Sequence, residues 1–196
     1  MSKTLEKTRI GIAMTGSFCT FEKVFHALLL LKEQGAELFP IMSKHAHEID
    51  NRFMTSKKAR EKLEGICVRL CLCEITDVEP IGPKRLLDLL IVAPCTGNTL
   101  AKIANGIADT AVTMAVKSHL RNECPVLIGI STNDGLGISA INIGKLMVRK
   151  HIYFAPYYQD DPIGKPSSLI FDEQRLQKSA EMALRSQQIQ PLIGKT

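Results

Sequence analysis

The sequence predicts an α/β protein: a three-layer, doubly wound parallel sheet with helices on both faces. Three observations lead there. Short unbroken apolar runs (RIGIAM, LLIVA, PVLIGI) suit strands buried on both faces of a parallel sheet. Stretches with apolar residues at helical spacing stand between these runs. A chain of 196 residues holds one such domain with an ample core, and it shows neither internal repeats nor an interdomain linker, so residues 1–196 read as a single unit.

Residues 9–14 read as the first strand, followed by a turn through Thr15, Gly16, Ser17 and Phe18. Thr20 is placed to cap the next helix and Glu22 suits its first turn. Phe21, Val24, Phe25, Leu28 and Leu31 give that helix its apolar face, and Gly35 ends it. Residues 37–42 form a second strand, with Ser43 at its carboxyl end. Residues 56–63 predict an exposed helix, in which Lys57, Lys58, Arg60 and Lys62 make a solvated face. Residues 67–75 (CVRLCLCEI) alternate, which predicts a strand with Cys67, Arg69, Cys71 and Cys73 on one face. Residues 79–84 (EPIGPK) form a rigid turn.

Residues 89–93 make the central buried strand, and Pro94 should stop it, because a ring nitrogen cannot donate to a ladder. Cys95, Thr96, Gly97, Asn98 and Thr99 are small or polar. Leu100, Ile103, Ala104 and Ile107 then fall at helical spacing, and helix continues over residues 110–120. Residues 125–130 are another buried strand, leading into a polar loop at 131–137 and a helix at 139–149. A short strand at 152–154 and a loop at 155–168 follow. Asp172 caps a last helix that buries Leu176, Ala180, Ala183 and Leu184.

The segment around Thr96 is strand, small polar loop and helix N-terminus. The first N–H groups of a helix lack internal partners and carry the positive end of its dipole, so anions settle there. Thr96 and Thr99 add hydroxyls, and Gly97 leaves the backbone approachable. An ordinary Thr-capped helix fits the same residues, and on the residues alone both readings stand. Gly16 and Ser17 form a second turn of this kind without GxGxxG, so a dinucleotide fingerprint is not supported. Because Gly16, Ser17, Ser43, Thr96, Thr99, Ser131, Thr132 and Asn133 all follow strands, they converge at the carboxyl ends of the sheet, where such folds bind ligands.

Metal readings are weaker. His45, His47 and Glu48 lack a further ligand, and Cys67, Cys71 and Cys73 read as packing, so no metal site is expected. The formal charge of +5 is modest, and three Tyr with no Trp offer no stacking platform for single-stranded nucleic acid. No apolar run approaches the roughly 20 residues that span a bilayer, the start of the chain has no signal-peptide core, and six unpaired-looking cysteines suit a reducing cytoplasm.

The stretch APCTGNTLAKIANGIAD resembles the PASANT segment of the homo-oligomeric flavin-containing Cys decarboxylases, a group that includes phosphopantothenoylcysteine decarboxylase, lantibiotic-peptide cysteine decarboxylases and flavin prenyltransferases. Pro94, Thr96, Asn98 and Thr99 match that motif, with Gly97 in place of an alanine. The resemblance implies a Rossmann-like, flavodoxin-type fold, a homo-oligomer, and an FMN cofactor bound by Gly16, Ser17, Phe18, Ser43, Pro94, Thr96, Gly97, Asn98, Thr99, Ser131 and Thr132. It also implies that residues 155–168 act as a mobile substrate clamp. Two departures stand out. Counting back from Asp88 puts Pro80 at the family's catalytic histidine, which places decarboxylation in doubt. The family's PxMNxxMW segment survives only at Asn133 and loosely at Leu136.

Six stretches together (TGSFCTFEKV, EPIGPK, IVAPCTGNTLAKIANGIADT, STNDGLG, NIGKLM, YFAPYYQDDP) resemble one component of a two-component synthase within this superfamily. That likeness implies a second component, the A subunit, as partner, together with a small dicarboxylate substrate. It also implies a two-electron oxidation, with FMN, or NADP as the alternative, taking the hydride. Asn133 and Asn98 are then the candidates to touch substrate, and Lys102 suits a carboxylate. An FMN-dependent decarboxylase with a relocated acid–base group and a non-catalytic partner-binding component remain the alternatives.

Overall fold

The centre of the molecule is β3 (Leu89–Cys95), every residue of which is buried. The structure, a computed structural model, describes residues 3–194. β1 (Arg9–Met14) runs parallel between β3 and β2 (Glu37–Met42), β4 (Val126–Thr132) lies parallel on the other side of β3, and β5 (Ile152–Phe154) pairs in parallel with the first half of β4. This β2-β1-β3-β4-β5 arrangement is the flavodoxin-type order expected from the sequence. The second half of β4 turns away and pairs antiparallel with β7 (Leu169–Phe171), which in turn pairs with β6 (Tyr157–Tyr158) to complete a seven-stranded sheet.

Each face of the sheet has its own apolar core. Ile10, Ile12, Met14, Leu89, Ile91 and Ala93 pack against α1 (Phe21–Glu33), α3 (Ser56–Cys67) and α8 (Leu176–Leu184). Leu90, Val92, Cys95, Ile128 and Ile130 pack on the other side against α5 (Gly97–Ala104), α6 (Ala111–Leu120) and α7 (Ser139–Met147). Strand residues therefore alternate between two buried sides, which is why β3 reads as a continuous apolar run.

Several expectations are corrected. Pro94 does not end β3: the strand runs on to Cys95 through a register shift between Val92 and Cys95, with a cis Ala93–Pro94 peptide. The bulge absorbs the ladder bond that proline cannot make. Residues 67–75 are not a strand. α3 runs on to Cys67, and Val68 leaves it in the left-handed region at φ 56°. Among the described residues of this stretch only Leu72 pairs its backbone with the sheet, donating its N–H to the Pro40 carbonyl. Val68 and Leu70 are 74% and 81% exposed, so the face expected to carry apolar residues packs little, while Cys67, Cys71 and Cys73 meet the core. α3 is also half-buried rather than exposed, with Ala59, Leu63 and Ile66 in the core.

Helix does not continue from α5 into α6. α5 ends at Ala104, Gly106 turns the chain at φ +73°, and Ile107 lies outside the helix, 47% exposed. Thr20 makes no side-chain cap; its hydroxyl donates to the Ser17 carbonyl within a 3-10 turn (Phe18–Thr20). Asp172 caps a 3-10 turn (Glu173–Arg175), and α8 starts only after it. Residues 155–168 are not wholly loop, since β6 falls inside them and β7 follows directly.

On α6, His119 is almost fully buried, and its Nε2 has no hydrogen-bond partner among the described residues. Burial pulls its pKa down from 6.5 to about 4, against the opposing effects of a hydrogen bond to the Pro125 carbonyl and of nearby Asp88. The unfolded chain takes up this proton at higher pH than the folded one. Stability is therefore complete above pH 6.5 and is lost as pH falls toward 4. The shift corresponds to about 3 kcal/mol. Urea unfolding at neutral and acid pH should show that loss, and His119→Leu should flatten it. Parallel decline of wild type and variant would place the acid sensitivity elsewhere.

Candidate functional site

β1 and β3 are neighbours, but the helices that follow them leave to opposite faces of the sheet, so the loops after the two strands part and open a crevice. Thr15, which is buried, ties the loops together. Its N–H and Oγ1 both donate to the Pro94 carbonyl, at 3.2 and 2.7 Å, and the same Oγ1 accepts from Thr96 N–H at 3.0 Å. The loop after β2 joins them, because Ser43 N–H donates to the Met14 carbonyl at 3.0 Å. Ser43 Oγ accepts from Ala46 N–H and so starts α2 (Lys44–Glu48).

Thr96 caps α5: its Oγ1 accepts from Thr99 N–H at 3.3 Å and donates to Thr99 Oγ1 at 3.1 Å. The N–H groups of Gly97 and Asn98 have no acceptor among the described residues. Asn98 lies on the wall of a cavity of about 630 Å³. Thr15, Gly16 and Phe18 form one wall, Ser43, Lys44, His45 and Ile49 a second, and Thr96, Asn98, Thr99 and Lys102 a third. Cys73, Glu74 and Ile75, just before and within α4 (Ile75–Val78), and Asp109, Thr110 and Ala111, before and within α6, complete it.

Of the residues singled out from sequence, Gly16, Phe18, Ser43, Thr96, Asn98 and Thr99 meet at this cavity; Ser17, Pro94, Gly97, Ser131, Thr132 and Asn133 do not line it. Pro94 contributes the carbonyl that holds Thr15. Ser17 Oγ and Ser131 Oγ hydrogen-bond at 2.7 Å, joining the first loop to the end of β4. Thr132 and Ser139 both donate to Asp134 Oδ1. Gly97 faces that cluster rather than a ligand: a Cβ there would lie 2.6 Å from Ser139 Oγ and 2.7 Å from Thr132 Oγ1. Its bare backbone lets α5 pack on the turn after β4. Asn133 is exposed in that turn.

Sequence reasoning missed three features of the cavity. Lys102 and Asp109 form a two-pronged ion pair, both N···O distances 2.8 Å, and this hydrogen bond holds the Asp109 carboxyl below the usual range. The pair clips the 105–109 turn to α5; its sequence signal is the KIANGIAD stretch. His45, which the sequence offers only in a weak metal grouping with His47 and Glu48, lies in α2 and lines the cavity, whereas His47 hydrogen-bonds Arg60 at 3.0 Å outside it. Cys73 also lines it. Pro80, which stands at the position counted for the family's histidine, sits in a 3-10 turn (Glu79–Ile81) that does not line the cavity. Among the described residues no three His, Cys, Asp or Glu side chains gather as a metal site would require, and no helix is long and apolar enough to cross a membrane.

Residues 1–152 match the flavoprotein family. The chain is 40% identical over 190 residues to the Bacillus subtilis protein named as the B subunit of dipicolinate synthase, covering 97% of this chain and 95% of that one. It superposes with a TM-score of 0.89 on the crystal structure of the dipicolinate synthase B subunit from Bacillus halodurans, at 39% identity and 98% coverage of both chains. An FMN-dependent cysteine decarboxylase shares the fold at 21% identity, with a TM-score of 0.68 and coverage of 92% of this chain and 99% of that one.

The Thr15 hydroxyl predicts a measurable cost. Thr15→Val keeps the shape but leaves the Thr96 N–H unpaired in a partly buried place, which costs about 1 kcal/mol. Urea unfolding should show that loss, with Thr15→Ser restoring most of it. A Val variant as stable as wild type would mean that the two loops are held by other contacts.

Proposed function

The chain belongs to the flavoprotein family, and we propose that it works as the B subunit of a dipicolinate synthase, acting with a partner A subunit to convert a dihydrodipicolinate-type precursor to dipicolinate (pyridine-2,6-dicarboxylate) in the cytoplasm of a sporulating mother cell. Similarity over nearly the full length to two proteins of that name carries this reading. Aromatising such a ring removes two electrons and two protons, so the reaction is an oxidation and needs a hydride acceptor.

FMN fits this cavity. The Thr96, Thr99 and Ser43 hydroxyls and the open N–H group of Asn98 suit its phosphate, as does the positive end of α5. Phe18 and Ile49 supply apolar wall. When bound, a flavin would supply the two-electron acceptor. Family membership supports a flavin, and neither the sequence nor the similar proteins point to NADP. Lys44 and Lys102 are positioned for substrate carboxylates. His45 is the imidazole on the wall and is assigned the proton transfer, while Asn98 on the wall is assigned to substrate. A homo-oligomer is expected, as in the wider group.

Decarboxylation of cysteine-terminated substrates is the second reading, and the shared fold leaves it open. A test follows the pyridine absorbance with this chain alone, with the partner alone and with both, alongside carbon dioxide release from a cysteine-terminated peptide. Only the mixture should form the ring. His45→Gln should slow it by ~100- to 10,000-fold, with FMN affinity, read by fluorescence titration, unchanged. Carbon dioxide release without ring formation would favour the decarboxylase, and a mixture that turns over normally with His45→Gln would remove His45 from the chemistry.

A further inference from the structure

The segment between α3 and α4 carries two thiols that the proposed reaction leaves unused. Leu72 is held at the sheet edge from both sides: its N–H donates to the Pro40 carbonyl at 2.9 Å, and Met42 N–H donates to its carbonyl at 3.0 Å. The flanking residues Cys71 and Cys73 therefore project to the same side, and both pack against the core on the α1 and α3 face. Their backbones are anchored, Cys71 N–H to Glu64 Oε1 at 2.9 Å and Cys73 N–H to Asp77 Oδ2 at 3.1 Å. Cys73 Sγ donates to the Cys71 carbonyl at 3.8 Å, and the two thiols are near enough for each to shift the other's ionisation. Cys73 opens into the cavity beside Ser43 and His45, while Cys71 does not line it.

We propose that Cys71 and Cys73 form a redox-active dithiol that a low-molecular-weight disulfide oxidises, with Cys73 as the attacking thiol at the cavity wall and Cys71 as the resolving thiol. The Cys73 thiolate attacks one sulfur of the small disulfide. That S–S bond breaks, a mixed disulfide forms on Cys73, and one small thiolate leaves and takes up a proton. Cys71 then loses its proton and attacks Cys73 Sγ, which expels the second small thiolate. The protein gives up two electrons and two protons, and the small disulfide is reduced to two thiols.

The surroundings divide the roles in the same way. Neighbouring Cys71, helped by Arg60, holds the Cys73 thiol below the usual range despite burial and the nearby Asp77 and Glu64 carboxylates. Cys71 is pushed up by its neighbour Cys73 and by burial. A thiolate-stabilised, accessible cysteine next to a protonated one is the arrangement thiol–disulfide exchange requires. The other cysteines are differently placed. Cys67 is buried and pushed up to about 12, Cys95 is buried and also pushed up, Cys19 is exposed on the 3-10 turn before α1, and Cys124 is half-buried. The dithiol does not depend on the cofactor or on the partner protein.

The test incubates the purified full chain with oxidised glutathione and maps its peptides by mass spectrometry. The expected result is loss of two hydrogens on the peptide holding Cys71 and Cys73. Cys71→Ser should stop at one glutathione retained on Cys73, and Cys73→Ser should give neither product. Limited iodoacetamide should label Cys73 ahead of the more exposed Cys19. No oxidation at all, a disulfide mapped to another pair, glutathione confined to Cys19, or a Cys71→Ser chain without an adduct on Cys73 would each overturn the proposal.

Discussion

The crevice depends on a constraint of the sheet. Parallel neighbours need crossovers, and crossovers of one hand place their helices on a face set by the direction in which the chain steps. From β1 the chain steps outward to β2; from β2 it must return past β1 to β3. The two loops at the carboxyl ends of β1 and β3 are thereby driven apart, and no special residue is needed to make the gap. What the sequence adds is the single buried hydroxyl of Thr15 after β1, which donates to the Pro94 carbonyl and accepts from the Thr96 N–H and so ties the first loop to the end of β3. Thr96 and Ser43 then start helices at that gap with hydroxyl caps, so the polar ends of two helices point at the same space.

Much of this is legible in the amino-acid sequence. β1, β2 and β5 fall at the expected residues, and the apolar face of α1 is as read, because burial on both sides of a sheet and one side of a helix leaves distinct periods. The failures share a cause. Residues 67–75 alternate as a strand should, but period alone does not say whether a neighbour is available. Here β2 is already the sheet edge, α3 uses Cys67 in its last turn, and only Leu72 reaches β2. β6 and β7 escape a reading of the sequence for the opposite reason. They have two and three residues, too few for any period, and exist because the second half of β4 offers them an edge.

The site is half legible on similar grounds. Residues that follow strands can be named from order alone, and six of them do gather at the cavity. Gly97 reads as a point of ligand approach because glycine at a helix start commonly serves that end, yet its missing side chain makes room for Ser139 and Thr132. Nothing local in the sequence separates these uses; the neighbour that decides lies 42 positions along the chain, at Ser139. His45 has no nearby partner in the sequence to mark it, and its position comes from the tie between Ser43 and Met14, which only the folded sheet provides.

The cavity's charges bear on the proposed dicarboxylate substrate. Lys102 is the cation of the α5 wall, and Asp109 already occupies it. That occupation is not a strong objection. The pair is open to solvent on the Asp109 side, and exposed ion pairs contribute only about 0–1 kcal/mol. A substrate carboxylate that took over Lys102 would exchange one such pair for another in a more enclosed setting, where the same charges attract more strongly. Release of Asp109 would in turn free the turn that carries Thr110 into the cavity, because the Lys102 pair is what clips it to α5. On the proposed reading, substrate charge and the wall before α6 meet at one lysine, because Lys102 lines the cavity and pairs with the turn that carries Asp109 and Thr110.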